Sequence, residues 1–162
     1  MASRGSRLIK ALELYTKFKP NQFDTSVILK QVEINSITAG VSRSTFTVER
    51  SMCNGGDTLH GGFIAACVDA LSTFAHLGTT GKIAWTMGLN VDFIAAARIG
   101  EVITVETSVL RPGSLTAVET CFRNSQGALV AKGTTTLMNG RDQYQKLVKE
   151  IYHFDPNEVD DE

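Results

Sequence analysis

The 162-residue sequence predicts an α+β fold in which one antiparallel sheet wraps around a long central helix. Three observations predict it. The stretch 61–78 is almost wholly apolar and has helical length, strand-like segments lie on both sides of it, and the later strands are joined by short turns. Because a helix that is apolar all round needs cover on most sides, a curled sheet is the simplest partner for it.

The N-terminal part predicts one helix and two strands. Apolar residues at helical spacing indicate an amphipathic helix over 6–18, which ends before Pro20. Residues 27–50 alternate and are rich in Val, Ile and Thr, so they predict two strands with a break near Ala39-Gly40. The central helix follows a glycine-rich loop, and Gly78 is expected to stop it.

From Ala84 onward the hydrophobic period drops to two, which predicts a strand over Ala84–Ile94. Its large apolar residues are expected to line one core-facing side, with small or polar residues between them on a wetter side; they are Trp85, Met87, Leu89, Val91 and Phe93. Three more strands complete an antiparallel meander, with turns at 111–114 and 124–127; they are predicted at 101–111, 115–124 and 128–138. A helix over 141–152 and a disordered acidic tail from Asp155 end the chain.

Composition excludes several classes of function. The chain is 43% hydrophobic and 20% charged, and its net charge of −1 provides no field for nucleic acid. The longest apolar run, 61–77, contains Asp69 and His76 and is too short for a ~30 Å hydrocarbon core, so we expect no membrane span. Three widely spaced cysteines indicate reduced thiols inside a cell.

The cellular location is expected to be cytoplasmic or mitochondrial. Residues 1–19 carry a basic excess compatible with a mitochondrial presequence, although a solvated basic face on an N-terminal helix explains the same residues more simply.

The residues that carry chemistry cluster around the start of the central helix. Gly61 and Gly62 at a helix entrance let a ligand approach bare N–H groups, and the helix dipole there favours developing negative charge. Asp69, the one charge of this apolar helix, costs free energy there unless it is paired or used. The segment therefore offers oxyanion donors and a candidate base or nucleophile.

This pattern resembles a known family. Asn54, the string Leu59-His60-Gly61-Gly62, Asp69 nine residues after the histidine and a hydroxyl on the next strand are similar to the hotdog-fold acyl-CoA thioesterases, of the phenylacetate-degradation and thioesterase superfamily member 2 types. The resemblance covers roughly residues 45–140. It implies a hotdog fold, with residues 1–24 as N-terminal helix and lead-in, 25–140 as hotdog thioesterase domain, and 141–162 as C-terminal helix and acidic tail.

The resemblance also implies an activity, which is hydrolysis of acyl-CoA, of medium or long chain, to a free acid and coenzyme A without a cofactor. The Gly61 N–H would polarise the thioester carbonyl with help from Asn54, and Asp69 would act as general base or nucleophile. A Ser or Thr on the next strand positions water in this family, and Thr86 would take that role, where the family member compared has serine. His60 is expected to orient the loop, because the helix dipole disfavours a cation there.

Further residues are expected to contact substrate. Gly62 adds a helix-entrance N–H, and three basic residues are candidates for the coenzyme A phosphates, namely Arg98, Arg111 and Lys132. The histidines have no metal-ligand spacing, so no metal is expected.

The spacing of Gly61 and Asp69 predicts an oligomer. They lie eight residues apart, about 12 Å along a helix axis, so one carbonyl cannot meet both groups of the same helix. A complete site then needs the carboxylate of a second subunit, and the resemblance implies a dimer or a dimer of dimers. Two other functions stay open: a non-catalytic acyl-CoA-binding hotdog protein, which would gain nothing from Asp69, and a hotdog hydratase or dehydratase, whose His and carboxylate spacing is not found here.

Overall fold

The computed structural model describes residues 3–158, which form one six-stranded antiparallel sheet curled around a central helix. The strand order is β1-β2-β4-β5-β6-β3. The helices are α1 (Arg4–Phe18), α2 (Gly61–Thr80) and α3 (Asp142–Tyr152), and the strands are β1 (Glu33–Thr38), β2 (Val41–Thr47), β3 (Ala84–Phe93), β4 (Val102–Arg111), β5 (Leu115–Arg123) and β6 (Leu129–Asn139). The predicted α+β hotdog architecture is confirmed.

The core lies between α2 and the concave face of the sheet. Apolar side chains of α2 are buried against those of the central strands, among them Val68, Leu71, Phe74, Ile103, Val105 and Phe122. Backbones approach closely here, since a Cβ on Gly133 of β6 would lie 2.6 Å from the Val68 methyl groups. Helix and sheet therefore fix one another's position closely, which is what a site built on both requires.

The central helix is longer than the sequence predicts. It continues to Thr80 and ends at Gly81, which has φ 72° and whose N–H bonds to the Leu77 carbonyl at 2.8 Å. The expectation that Gly78 stops the helix is wrong. A Cβ on Gly78 would lie 2.8 Å from Ile37 Cγ2, so this glycine lets α2 pack closely on β1.

The two extra residues of α2 bear on the membrane prediction. With 20 residues, about 30 Å, α2 has the length and the composition to cross a membrane, so the argument from length does not hold. However, 67% of its most apolar window is buried inside the protein, as in the core helix of many folds.

Residues before β1 are helical where a strand was predicted. The chain forms a short π-helical stretch over Asp24–Leu29, called here the π segment, and β1 begins only at Glu33. The buried Thr25 hydroxyl donates to the carbonyls of Lys19 (2.5 Å) and Gln22 (3.0 Å). Such local side-chain bonds compete with strand pairing, and here they hold the π segment beneath α1.

A bulge in β3 reverses its side-chain alternation. Thr86 pairs with Leu137 of β6 while Gly88 pairs with Thr136, which leaves Met87 as an extra residue. Thr86 therefore lies on the α2 side of the sheet together with the later odd-numbered residues. Phe93 on that side reaches α2, since a Cβ on Gly61 would lie 3.0 Å from its ring. The predicted single apolar face is wrong, because Trp85 before the bulge lies on the opposite face from Leu89, Val91 and Phe93.

The apolar side chains of β3 are not core in the single chain. Trp85, Met87, Leu89 and Phe93 are 41, 58, 41 and 60% exposed. β3 is an edge strand with β6 as its one neighbour in the sheet. Tyr144 of α3 packs edge to face on Trp85, and Phe93 lies beside Gly61, yet within residues 3–158 these contacts cover the side chains only in part. An apolar edge strand of this kind is one that a second copy would be expected to pair with.

The two ends of the described chain are held together. Helix α1 begins at Arg4, with Ser3 as its N-cap, and buries Leu8, Ala11, Leu12 and Tyr15. The Arg4 guanidinium donates to the carbonyls of Thr79 (2.9 Å) and Pro156 (3.0 Å), and Arg7 donates to that of Asp155 (2.9 Å). Residues 155–158 are thus fastened rather than disordered as predicted, while the rest of the predicted acidic tail, 159–162, lies outside the described residues.

Candidate active site

The glycine-rich loop before α2 is organised by Asn54. Its Oδ1 accepts from the Gly56 N–H (2.9 Å), and its Nδ2 donates to Thr58 Oγ1 (2.9 Å). Asp57 has φ 56° and forms an ion pair with Arg50 at 2.8 Å, which fixes the tip of the loop. Asn54 therefore holds the loop in shape, and one of its two Nδ2 hydrogens is left over for another acceptor.

The helix entrance leaves the Gly61 N–H as the donor to a ligand. His60 is the N-cap, and its Nδ1 accepts from the Gly62 N–H at 2.8 Å. The Gly62 donor is therefore used within the chain, in contrast to the direct substrate contact predicted for it. Gly61 is the first helical residue and has no intrahelical acceptor. His60 orients the entrance through a neutral ring nitrogen, because only an unprotonated Nδ1 accepts a hydrogen bond.

A cavity lies beside this entrance. It has a volume of about 350 Å³ and contains Asn54, Gly61, Ile64 and Phe93 in its wall. We call it the entrance cavity. The structure thus brings the predicted pair Asn54 and Gly61 together at the N-terminal end of α2.

Asp69 and Thr86 form a second pair, two turns further along α2. Thr86 Oγ1 donates to Asp69 Oδ1 at 2.6 Å. The bulge at Met87 makes this contact possible, since it brings Thr86 to the α2 side of β3. In the single chain Asp69 is exposed on the helix surface rather than buried. One carboxylate oxygen is oriented by the hydroxyl, which leaves Oδ2 available to a reacting group.

A cavity of about 360 Å³ adjoins this pair, and we call it the Asp69 cavity. Its wall includes residues that the sequence did not single out, which are Tyr15 of α1, Asp24 of the π segment, and Ile151 and Tyr152 of α3. Burial raises the pKa of Asp24 above its ordinary value, and the charge of Asp69 raises it further. No spacing in the sequence connects residue 24 or 152 with residue 69, so no signal could have found them.

The two cavities have no residue in common. Asn54 and Gly61 line one, whereas Asp69 and Thr86 line the other. The separation agrees with the roughly 12 Å expected along the helix between Gly61 and Asp69. Within one chain the predicted site residues are therefore present as two halves.

The predicted phosphate-binding residues are dispersed. Lys132 forms an ion pair with Glu119 at 2.7 Å and lies on the sheet face away from α2, because its neighbours Ala131 and Gly133 are buried beneath that helix. Arg111 ends β4 at the end of the sheet near the C-terminus of α2. Arg98, which bridges to Thr58, lies at the Gly61 end. The single chain brings only Arg98 close to the helix entrance.

Other reactive side chains are occupied or inactive. Burial raises the pKa of the Cys67 thiol to about 12, so it holds its proton at neutral pH. Buried His76 bonds through Nε2 to Asn139 Oδ1 at 2.8 Å, and burial lowers its pKa, which keeps the ring neutral. Asp69 remains the candidate base or nucleophile.

Comparison with known proteins agrees with the geometry. The family described as "Thioesterase superfamily" matches residues 56–131. Human acyl-coenzyme A thioesterase 13 is 31% identical over 112 residues, which are 67% of this chain and 80% of the human protein.

Solved structures agree as well. The zebrafish thioesterase superfamily member 2 superposes with a TM-score of 0.73 at 30% identity, over 79% of this chain and 94% of the other. The PaaI protein of the Escherichia coli phenylacetic acid degradation operon superposes with a TM-score of 0.68 at 22% identity, over 82% and 94%, which is a likeness of fold. The resemblance in the sequence is confirmed: the chain belongs to the thioesterase superfamily, alongside the hotdog-fold acyl-CoA thioesterases.

Proposed function

We propose that this protein hydrolyses acyl-CoA thioesters to a free acid and coenzyme A, and that its substrates carry medium or long fatty acyl chains. The observation that carries the proposal is the 2.6 Å hydrogen bond from Thr86 to Asp69. A surface carboxylate held by a hydroxyl on the face of a core helix has no evident structural purpose in this fold. It has the placement that a group acting on a reacting carbonyl needs.

Asp69 would supply the attack on the thioester. With Oδ1 bonded to Thr86, Oδ2 either takes a proton from an attacking water or itself attacks the carbonyl carbon. The second route leaves a mixed anhydride on Asp69, which a water then hydrolyses to the free acid and the regenerated carboxylate. In both routes the carbonyl oxygen gains negative charge, the carbon–sulfur bond breaks, and the thiolate leaves with the electron pair and is protonated. Thiolate leaves readily, so no strong general acid is needed.

The developing oxyanion would be stabilised at the entrance of α2. The Gly61 N–H and the positive end of the helix dipole face the entrance cavity, and the remaining Asn54 Nδ2 hydrogen is available beside them. Preorganised donors of this kind contribute roughly 10²–10³ in rate each. Because Gly61 and Asp69 line different cavities, we propose that each complete site combines Gly61 of one subunit with Asp69 of another.

Assembly follows from the same proposal. We propose a dimer built through the apolar β3 edge, with a dimer of dimers as the larger form, and cytoplasm or mitochondrion as its location. Arg98 at the Gly61 end is the best placed of the predicted phosphate-binding residues, whereas Arg111 and Lys132 would reach coenzyme A only across a subunit interface.

Replacing Asp69 tests the activity. Asp69→Asn is nearly isosteric but can neither accept the proton nor attack, so kcat is expected to fall by roughly 10²–10⁴ with KM little changed. The measurement is thiol release from an acyl-CoA panel, from acetyl through palmitoyl and including phenylacetyl, by the wild type and the variant.

Glu13→Gln is the control, because Glu13 is an exposed acid of α1 that lies outside both halves of the proposed site. The proposal is contradicted if Asp69→Asn keeps more than about a tenth of the wild-type kcat. A wild type that binds acyl-CoA without releasing thiol would indicate the binding protein instead, and hydration of an enoyl-CoA would indicate the hydratase.

A further inference from the structure

The Asp69 cavity is closed by parts of the chain outside the matched family region. Tyr15, Asp24, Ile151 and Tyr152 lie before residue 56 or after residue 131, yet all four line the same cavity as Asp69. The rings of Tyr15 and Tyr152 pack edge to face with their centroids 5.0 Å apart, which joins α1 to α3 at this wall. The shape and polarity of the cavity therefore depend in part on segments that lie outside the matched family region.

The cavity extends from Asp69 in the direction away from Gly61. Thr73 and Leu77, one and two turns further along α2, line it together with Ile83. Eight residues of helix advance about 12 Å, and an extended chain of single bonds advances about 1.2 Å per bond, so about ten bonds fit along this path. The volume of about 360 Å³ corresponds to roughly a dozen water molecules at ~30 Å³ each. An acyl chain whose carbonyl is attacked by Asp69 would run along it.

One wall of this apolar path is charged. Asp24 is partly buried, and its burial and the nearby charge of Asp69 both raise the pKa of its carboxyl. Within residues 3–158 the carboxyl has no hydrogen-bond partner. Burial raises the pKa of the Tyr152 hydroxyl as well, with the Asp24 charge as a further cause. Because Asp24 is also part of the cavity wall, its carboxyl is available there to accept a hydrogen bond.

We propose that Asp24 is a specificity-determining residue that selects acyl groups carrying a hydroxyl, or another hydrogen-bond donor, along the chain. This inference rests on the proposed function and names its substrate class. A plain alkyl chain passing Asp24 removes water from the carboxyl and returns no hydrogen bond, which is unfavourable. A chain with a hydroxyl at the depth of Asp24 donates to it and restores the bond. The site then favours hydroxyacyl over plain acyl thioesters.

The test compares matched substrates. Octanoyl-CoA and its 3-, 5- and 8-hydroxy forms are hydrolysed by the wild type, Asp24→Asn, Asp24→Leu and the control Glu13→Gln, an exposed acid of α1. The wild type and the control should prefer one hydroxy form by at least about fivefold in kcat/KM. In Asp24→Leu the ratio should fall to about one and kcat/KM for plain octanoyl-CoA should rise, while Asp24→Asn, which keeps an acceptor oxygen, should lie between.

A second measurement separates this inference from the proposed activity. Calorimetry measures the dissociation constants of the corresponding non-hydrolysable thioethers. These constants give the preference for the hydroxy forms over the plain octanoyl form without any turnover. If no thiol is released but the ratio of hydroxyacyl to plain acyl affinity still depends on Asp24, the proposed activity is overturned and the role of Asp24 in specificity is supported. A wild type without preference for any hydroxy form, or a preference unchanged in both Asp24 variants, would overturn that role. If Asp24→Leu does not fold, Asp24→Asn decides alone, and an unchanged ratio there counts against the proposal.

Discussion

A single hydroxyl orients the carboxylate on which the proposed chemistry depends. Compared with serine, Thr86 keeps the hydroxyl and adds a methyl group. In the structure that hydroxyl lies 2.6 Å from Asp69 Oδ1, so the methyl does not prevent the contact. The role proposed for Thr86 therefore depends on its oxygen atom and not on its branched shape.

Thr86→Val tests this directly, because valine has the same shape without the hydroxyl. Loss of a hydrogen bond to a charged group costs about 1.5–3 kcal/mol, so kcat should fall roughly tenfold to a hundredfold while KM changes little. The measurement is steady-state thiol release with the best substrate of the panel. Thr86→Ser restores the oxygen and should keep most of the activity. A Thr86→Val enzyme with more than half of the wild-type kcat would show that the hydroxyl is dispensable.

The same residues show what the sequence can predict of the site. Asn54, His60, Gly61 and Asp69 lie within 16 positions, and family resemblance names Thr86 on the next strand. The wall residues Asp24 and Tyr152 could not be predicted, because only tertiary packing brings the two ends of the chain to α2. The hydrogen bond from the Gly62 N–H to His60 could not be predicted either, because it depends on the orientation of the His60 ring.

At the scale of elements, long periodic segments were predictable and local exceptions were not. The six strands and three helices follow from hydrophobic period and turn residues. The bulge at Met87 was not predictable, because a period-two pattern continues through it and the extra residue shows only in the pairing with β6. The π segment was not predicted for a similar reason. Its Val and Ile residues favour a strand, and the hydrogen bonds from Thr25 to the preceding carbonyls that hold it in a helical form are not visible in the sequence.

Helix α1 is expected to stabilise the C-terminal segment chiefly through Arg4. Its guanidinium bonds to one carbonyl at the end of α2 and one beyond α3. Arg4→Met removes both charged hydrogen bonds, an expected loss of about 2–4 kcal/mol of unfolding free energy, or roughly 4–16 °C in Tm for a chain of this size. Calorimetric Tm values check it. Lys10→Met, which removes an exposed charge from the same helix, should change Tm little; equal shifts in both variants would contradict the assignment.

At the scale of the whole molecule, the most important feature is that the proposed site is divided into two halves. The exposed apolar side chains of the β3 edge and the separate cavities both favour a second subunit. We expect light scattering to report a dimer or tetramer, and a fully active monomer would contradict the shared site.

Two inactive variants should then restore each other. When Asn54→Ala and Asp69→Asn chains are denatured and refolded together, random pairing gives about half mixed dimers, each with one intact and one doubly altered site. Activity should return to about a quarter of wild type. Each parent is refolded alone as the control, because Asn54→Ala also loosens the loop that Asn54 holds. Recovery no greater than the mean of the parents would mean that each site is built within one chain.

The contact of Arg4 with Pro156 has a practical consequence for handling this protein. Both ends of the described chain leave the molecule beside Gly81, at the far end of α2, about 30 Å along the helix from Gly61. A fluorophore or surface anchor attached at either terminus is therefore carried away from the entrance where thioester carbonyls would arrive. The same closeness would let a short peptide join the two ends, so that a circular permutant could be opened in the exposed turn at residues 112–114.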